Sequence, residues 1–123
     1  MNARLQAAGD MPMQRWAEEF PGAVTVCDRQ GIILYLNRKA CRAFAAWGGE
    51  ALIGKSLLGC HPGPARDKLL GLLKNRGTNA YTIEKNGVKK MIYQAPWFNQ
   101  GEYMGLVELS LEIPPEMPHF VRT

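Results

Sequence analysis

The sequence predicts an α+β domain, a five-stranded antiparallel sheet with short helices gathered on one face. Three observations predict it. Two tight-turn signals, Asp28-Arg29-Gln30-Gly31 and Asn86-Gly87, each sit between β-type segments. The helical apolar stripes are confined to the start and the middle of the chain. Everything from Asn79 to Ile113 has strand character, broken only by turns. Strands and helices segregated in this way make an α+β layer rather than an alternating parallel sheet.

Residues 1–11 read as a flexible N-terminus, and a single domain is expected over 12–113 with a proline-rich tail at 114–123. Pro12 is suited to the first position of a helix over 12–20. In it Met13, Trp16, Ala17 and Phe20 fall at i, i+3, i+4 and i+7. So short a helix needs a surface to dock on, from its own domain or a second copy. Ala23 to Cys27 and Ile32 to Leu36 form a hairpin around the Asp28 turn. Asn37 can cap a helix starting at Arg38 with Ala40, Cys41, Phe44 and Ala45 as its stripe, and Gly48-Gly49 ends it. Glu50 to Gly54 is one helical turn, Lys55 to Cys60 a linker, and His61-Pro62-Gly63-Pro64 a break. Pro64 starts a helix bearing Leu69, Leu70, Leu72 and Leu73, which Asn75 to Gly77 terminates. Strands at Asn79 to Lys85, Val88 to Trp97 and Tyr103 to Ile113 follow, and Pro114, Pro115 and Pro118 end regular structure.

Composition excludes several classes. The 123 residues are 46% hydrophobic and 21% charged, values of a folded globular chain. The longest aliphatic and aromatic run, Ile32 to Leu36, is far short of the ~20 residues of a membrane span, and a cytoplasmic location is expected. Cys27, Cys41 and Cys60 are odd in number and form no CxxC, which fits reduced thiols better than a disulfide framework or a zinc site. The net charge of +4 is concentrated in residues 38–76, where eight basic residues face only Glu50 and Asp67. They are spread out and lack interleaved aromatics, so a solvated helix surface is expected and nucleic acid is not.

Asp28, Gly31, Asn37, Ala40, Glu50-Ala51-Leu52-Ile53-Gly54-Lys55 and His61-Pro62 occur in the order and spacing of a known family. The stretch from Val26 to Pro62 resembles the first half of a PAS domain, and the Asn86-Gly87 hairpin with the last strand fits the second half. The resemblance implies strand order 2-1-5-4-3, a small ligand or cofactor held between sheet and central helices, and signalling through flanking helices and dimer packing. It also implies an effector domain or partner protein; the chain is then a fragment of a larger sensor or a stand-alone partner acting in trans. Flavin photochemistry of the light-sensing relatives is not implied, because Lys55 to Cys60 lacks their cysteine motif and Leu106 to Leu111 lacks their glutamine.

The candidate pocket residues are Leu34 and Leu36 from the second strand, with Phe44, Leu57, His61 and Leu70 from the helical region. Tyr81, Tyr93, Val107 and Leu109 are the candidates from the sheet, with only one of Ile92 and Tyr93 able to face inward. Asp28 and Asn37 are expected to serve the backbone rather than a ligand. No metal site is expected, no cofactor is specified, and His61 is a weak candidate for a haem ligand. Met13, Trp16, Phe20 and Trp97 are candidates for a homodimer interface. No catalytic motif is present, so an enzyme is not expected; GxSxG, GxGxxG and Walker patterns are all lacking. Two other readings stand beside the sensor: a ligand-free interaction domain with a filled core, and a small enzyme using Glu108. Glu108 is expected on the wet face, opposite in alternation to Val107 and Leu109.

Overall fold

The computed structural model describes residues 15–123. A short helix, α1 (Arg15–Glu18), precedes the hairpin β1 (Ala23–Asp28) and β2 (Ile33–Leu36). Next come α2 (Arg38–Ala43), three 3-10 turns (Ala45–Trp47, Gly49–Leu52 and Leu57–Cys60) and α3 (Pro64–Asn75). The chain ends in β3 (Asn79–Lys85), β4 (Val88–Asn99) and β5 (Glu102–Ile113). The sheet is antiparallel throughout, in the order β2-β1-β5-β4-β3. Met13 and the first part of the expected helix 12–20 lie outside the described residues. The expected linker at Lys55 to Cys60 closes into a 3-10 turn, because the Ser56 side chain accepts from Leu58 N–H and caps it.

Two side chains set the first half. Asp28 Oδ1 accepts from the N–H of Gln30 and of Ile32, both at 2.9 Å, and so shapes the β1–β2 turn. Asn37 is fully buried and uses its whole hydrogen-bonding capacity. Its Oδ1 accepts from Val24 N–H at 3.0 Å and Ala40 N–H at 2.9 Å. Its Nδ2 donates to the carbonyls of Ala17 and Gly22, both at 2.8 Å. One amide thus caps α2 and ties it to β1 and α1.

Apolar side chains pack on both faces of the sheet. On the inner face Cys27, Ile33, Leu36 and Leu106 meet Ala40, Leu52, Leu57, Leu69, Leu72 and Leu73 from the helical layer. On the outer face Val24, Tyr35, Val26 and Leu109 meet Ala17 and Phe20. The α1 segment is therefore docked on its own domain. Tyr35 O–H donates to Glu18 Oε2 at 2.9 Å, and Arg38 lies 3.6 Å from the same carboxylate, so the contact is polar as well as apolar.

The helices do not reach the whole inner face. The large inner-face core lies over β1, β2 and the start of β5, whereas Tyr81 and Ile83 on β3 remain exposed. This uneven cover leaves the cavity described next.

Candidate functional site

Between the inner sheet face and the helical layer lies a cavity of about 230 Å³. Its floor is Ala23 and Thr25 of β1, Lys90 and Ile92 of β4, and Glu108, Ser110 and Glu112 of β5. Its wall is Lys39 and Ala43 of α2, Phe44 after α2, and His61. Register explains the floor: Thr25 pairs with Glu108, Gln94 with Glu108, and Ile92 with Ser110, so these side chains share one face.

A line of amides leads to the carboxyl group. Asn79 Nδ2 donates to Gln94 Oε1 at 2.9 Å, which turns Gln94 Nε2 toward Glu108 Oε1, 3.1 Å away. The chain crosses β3, β4 and β5 in one direction and presents Glu108 as an acceptor. Burial pushes the Glu108 carboxyl above the usual carboxylate range, and the His61 charge and the Gln94 hydrogen bond oppose that rise. Burial, then the Glu108 charge, raises the Tyr81 phenol on the same face.

His61 is held by its own loop. Its Nδ1 lies 2.9 Å from the Leu57 carbonyl, so this nitrogen donates and, in the neutral ring, Nε2 is the acceptor. At the rim, Lys39 Nζ donates to the Pro21 carbonyl at 2.7 Å and to Glu112 Oε1 at 3.3 Å. One lysine thus joins α2, the link after α1, and β5.

The sequence-named residues divide clearly. Phe44 and His61 line the cavity. Tyr81 shares its face, paired with Ile92, but sits at the exposed β3 edge. Leu36 and Leu57 belong to the solid inner core and leave no space. Leu34 is passed over by the β-bulge that pairs Tyr35 with Val26 and Ile33 with Cys27. Leu70 points away from the core and is exposed. Tyr93, Val107 and Leu109 are on the outer face, since Tyr93 pairs with Leu109 and Leu109 packs with the α1 cluster. Ile92, not Tyr93, is the inward member of that pair. Glu108 therefore corrects the sequence expectation: it faces the cavity, not the wet side. The physical reason is that both sheet faces carry apolar residues, so alternation around Val107 and Leu109 marks a face without saying which one is inner.

The interface candidates also separate. Trp16 is exposed and stacks edge-on against half-buried Phe20, ring centroids 5.7 Å apart. Trp97 is held within the chain, its indole N–H donating to the Cys27 carbonyl at 2.9 Å. Among the described residues no group of His, Cys, Asp and Glu is placed to hold a metal ion. The cavity is also below the ~300–1,000 Å³ of pockets for drug-sized molecules. A porphyrin does not fit it beside Glu108.

The chain belongs to the PAS family: a family model described as the PAS fold matches residues 13–80. Solved structures agree with that fold. A C-terminal domain from Streptococcus mutans superposes with a TM-score of 0.67 at 20% identity, covering 84% of each chain. The PAS domain of an HTR-like protein from Haloarcula marismortui gives 0.61 at 15% identity, over 89% of this chain and 95% of its own. The Aer2 receptor from Vibrio cholerae, described as a dual PAS-heme oxygen sensor, gives 0.52 at 22% identity, over 76% and 95%. No curated protein matches the sequence. Among the described residues no helix is long and apolar enough to cross a membrane.

Proposed function

We propose that this PAS domain is a non-catalytic sensory module that binds a small molecule in the Glu108 cavity and passes its occupancy to α1 and a dimer interface. The observation that carries the reading is the cavity itself. It is a solvent-open space of about 230 Å³ between the sheet and the helical layer, with a carboxyl group and an imidazole among its lining groups. Buried polar groups normally satisfy one another. Here the amide chain from Asn79 through Gln94 prepares Glu108 to meet something else. Sensor-type neighbours such as the Aer2 receptor support the same direction.

The route outward uses two side chains already described. Lys39 touches both the cavity and the Pro21 carbonyl, and Asn37, two residues earlier in sequence, holds Ala17. An occupant that displaces Lys39 moves the α2 terminus against the link to α1. The exposed Trp16, together with Tyr93 on the outer sheet face, offers apolar area for a second copy. Signalling then reaches an effector domain or partner protein through that helix.

Native mass spectrometry of freshly purified protein tests the reading. A retained small mass, lost on Phe44→Trp, which fills the cavity, is the expected result. Bare protein, together with a fragment screen by NMR in which no compound shifts Phe44, Ile92 or His61, would leave the ligand-free interaction domain instead. Light scattering at micromolar protein tests the interface: a dimer weakened by Trp16→Ala supports it, and a monomer for both proteins removes it.

A further inference from the structure

We propose that the occupant of the cavity is a small primary amine. Its ammonium would sit between Glu108 and His61 and its apolar body against Phe44 and Ile92. The inference rests on the ligand-binding reading above and adds the chemistry of the ligand.

The interior of the cavity is an acceptor pair. Glu108 Oε1 takes the Gln94 N–H, while Oε2 receives no hydrogen bond from the described residues. The Glu108 carboxyl lines the cavity, so its second oxygen is available to an occupant. His61 Nδ1 is committed to the Leu57 carbonyl, which leaves Nε2 as the acceptor of the neutral ring. Two acceptors facing one space are complemented by a group with several donors and no lone pair, which is an ammonium. A hydroxyl brings one donor and a carboxylate none.

Charge favours the same choice. A carboxylate partly withdrawn from water is costly, and a cation beside it offsets that cost; the His61 charge and the Gln94 hydrogen bond oppose the burial of Glu108 without cancelling it. The direction of the Glu108 shift, upward through burial, shows that the protein alone does not offset it. The lysines lie at the rim rather than beside Glu108. Lys39 is paired with Glu112, and Lys90 stands opposite Glu112 in the β4–β5 register. The two lysines thus share the one Glu112 carboxylate, and no hydrogen bond or ion pair among the described residues joins either of them to Glu108. Of the remaining lining, Ala43, Phe44 and Ile92 offer an apolar wall that suits one ring or one short branched chain, beside the hydroxyls of Thr25 and Ser110.

Titration calorimetry of the full chain at neutral pH tests this with two matched sets: benzylamine, benzyl alcohol and benzoate, and isopentylamine with isopentanol. Each amine is expected to bind at least ~10-fold tighter than its alcohol, a difference of about 1.4 kcal/mol. Glu108→Gln keeps the acceptor for Gln94 and should erase the difference. Should that variant not fold, Gln94→Leu in its place should weaken the amines and alcohols together, and amide shifts at Phe44 and Ile92 locate the probe. Alcohols or benzoate binding as well as the amines would overturn the amine assignment while leaving the cavity a binding site. If none of the five probes shifts Phe44 or Ile92, the amine assignment falls together with the ligand-binding reading.

Discussion

Asn37 Nδ2 donates to the Ala17 carbonyl at 2.8 Å, so the residue that caps α2 also holds α1. Three further bonds leave the same side chain, to Val24, Ala40 and Gly22. The side chain is buried, and water cannot replace a partner that is removed. The family-pattern asparagine is thus a junction between the flanking helix and the domain, which is where a sensory domain would need one.

Asn37→Ala orphans four backbone groups at once. The expected loss is about 3 kcal/mol of unfolding free energy, since each buried unsatisfied group costs about 1–3 kcal/mol and partial relaxation recovers some of it. Asn37→Asp should be nearly as harmful, because it keeps the two acceptor contacts but loses both donations and buries a charge. Urea denaturation measures both. A loss under about 0.5 kcal/mol for the alanine variant would show that the junction is not under tension from these bonds.

Gly105 of β5 pairs with Asp28 of β1 and with Trp97 of β4, and Trp97 reaches across it to the Cys27 carbonyl. A Cβ at Gly105 would stand 2.0 Å from that carbonyl oxygen, and the residue's φ of 152° is one that side-chain-bearing residues avoid. Gly105→Ala is therefore expected to cost more than ~3 kcal/mol or to prevent folding. Trp97→Phe removes the indole N–H together with part of the ring and should cost about 1–2 kcal/mol. Thermal denaturation of the two variants checks the order; a Gly105→Ala protein as stable as Trp97→Phe would contradict the close approach.

The strands, their hairpins, the Asn37 cap and the place of α3 were legible in the sequence because they are local. Asn86-Gly87 needs only the positive φ found at both residues, 54° and 78°, to turn β3 into β4. Asp28 and Asn37 likewise act on backbone a few residues away, although Asn37's bonds to Ala17 and Gly22 came only with the tertiary fold. The site was less legible. Phe44 and His61 could be named, but the floor depends on which face of β5 is inner. Alternation gives two faces, and on β5 the outer one, with Val107 and Leu109, is the more apolar. The signal that could have found Glu108 is the series Glu108, Ser110, Glu112 itself, polar residues at period two within a strand whose other face was apolar. Leu36 and Leu57 looked like lining because they are leucines near the cavity's elements, yet leucines close-pack and remove space.

Cys27 predicts behaviour at alkaline pH. Burial, opposed by a hydrogen bond from the Leu106 backbone, pushes its thiol from 9.0 up to about 11. In the unfolded chain the thiol ionises first, so above pH 9 the unfolded state holds fewer protons than the native one and native stability falls. The fall should run between pH 9 and 11 and reach about 2–3 kcal/mol from this group. Cys27→Ala should flatten that part of the stability curve, measured by urea denaturation across the range, although it opens a small void. Equal alkaline slopes for both proteins would place the loss elsewhere, on the raised phenols of Tyr81 and Tyr103. Native Cys27 should also resist alkylation at pH 8 until the chain unfolds, read by mass of its peptide.

Glu108 predicts a stability change of the opposite kind from most carboxylates. Its folded pKa is raised, so the native state keeps a proton that the unfolded chain has already lost as pH rises through the ordinary value of 4.5. Its contribution therefore worsens from that pH upward until the folded carboxyl has itself ionised, and the cost persists at neutral pH. Glu108→Gln removes the ionisable group while keeping an oxygen for Gln94 Nε2. The variant should melt above the wild type at pH 7, and the two curves should converge below about pH 4, where the carboxyl is protonated in both states. Scanning calorimetry at the two pH values reads this directly. A variant less stable than wild type at pH 7 would mean that the carboxylate is already satisfied inside the protein, and the cavity would then lack the unmet acceptor on which its recognition chemistry depends.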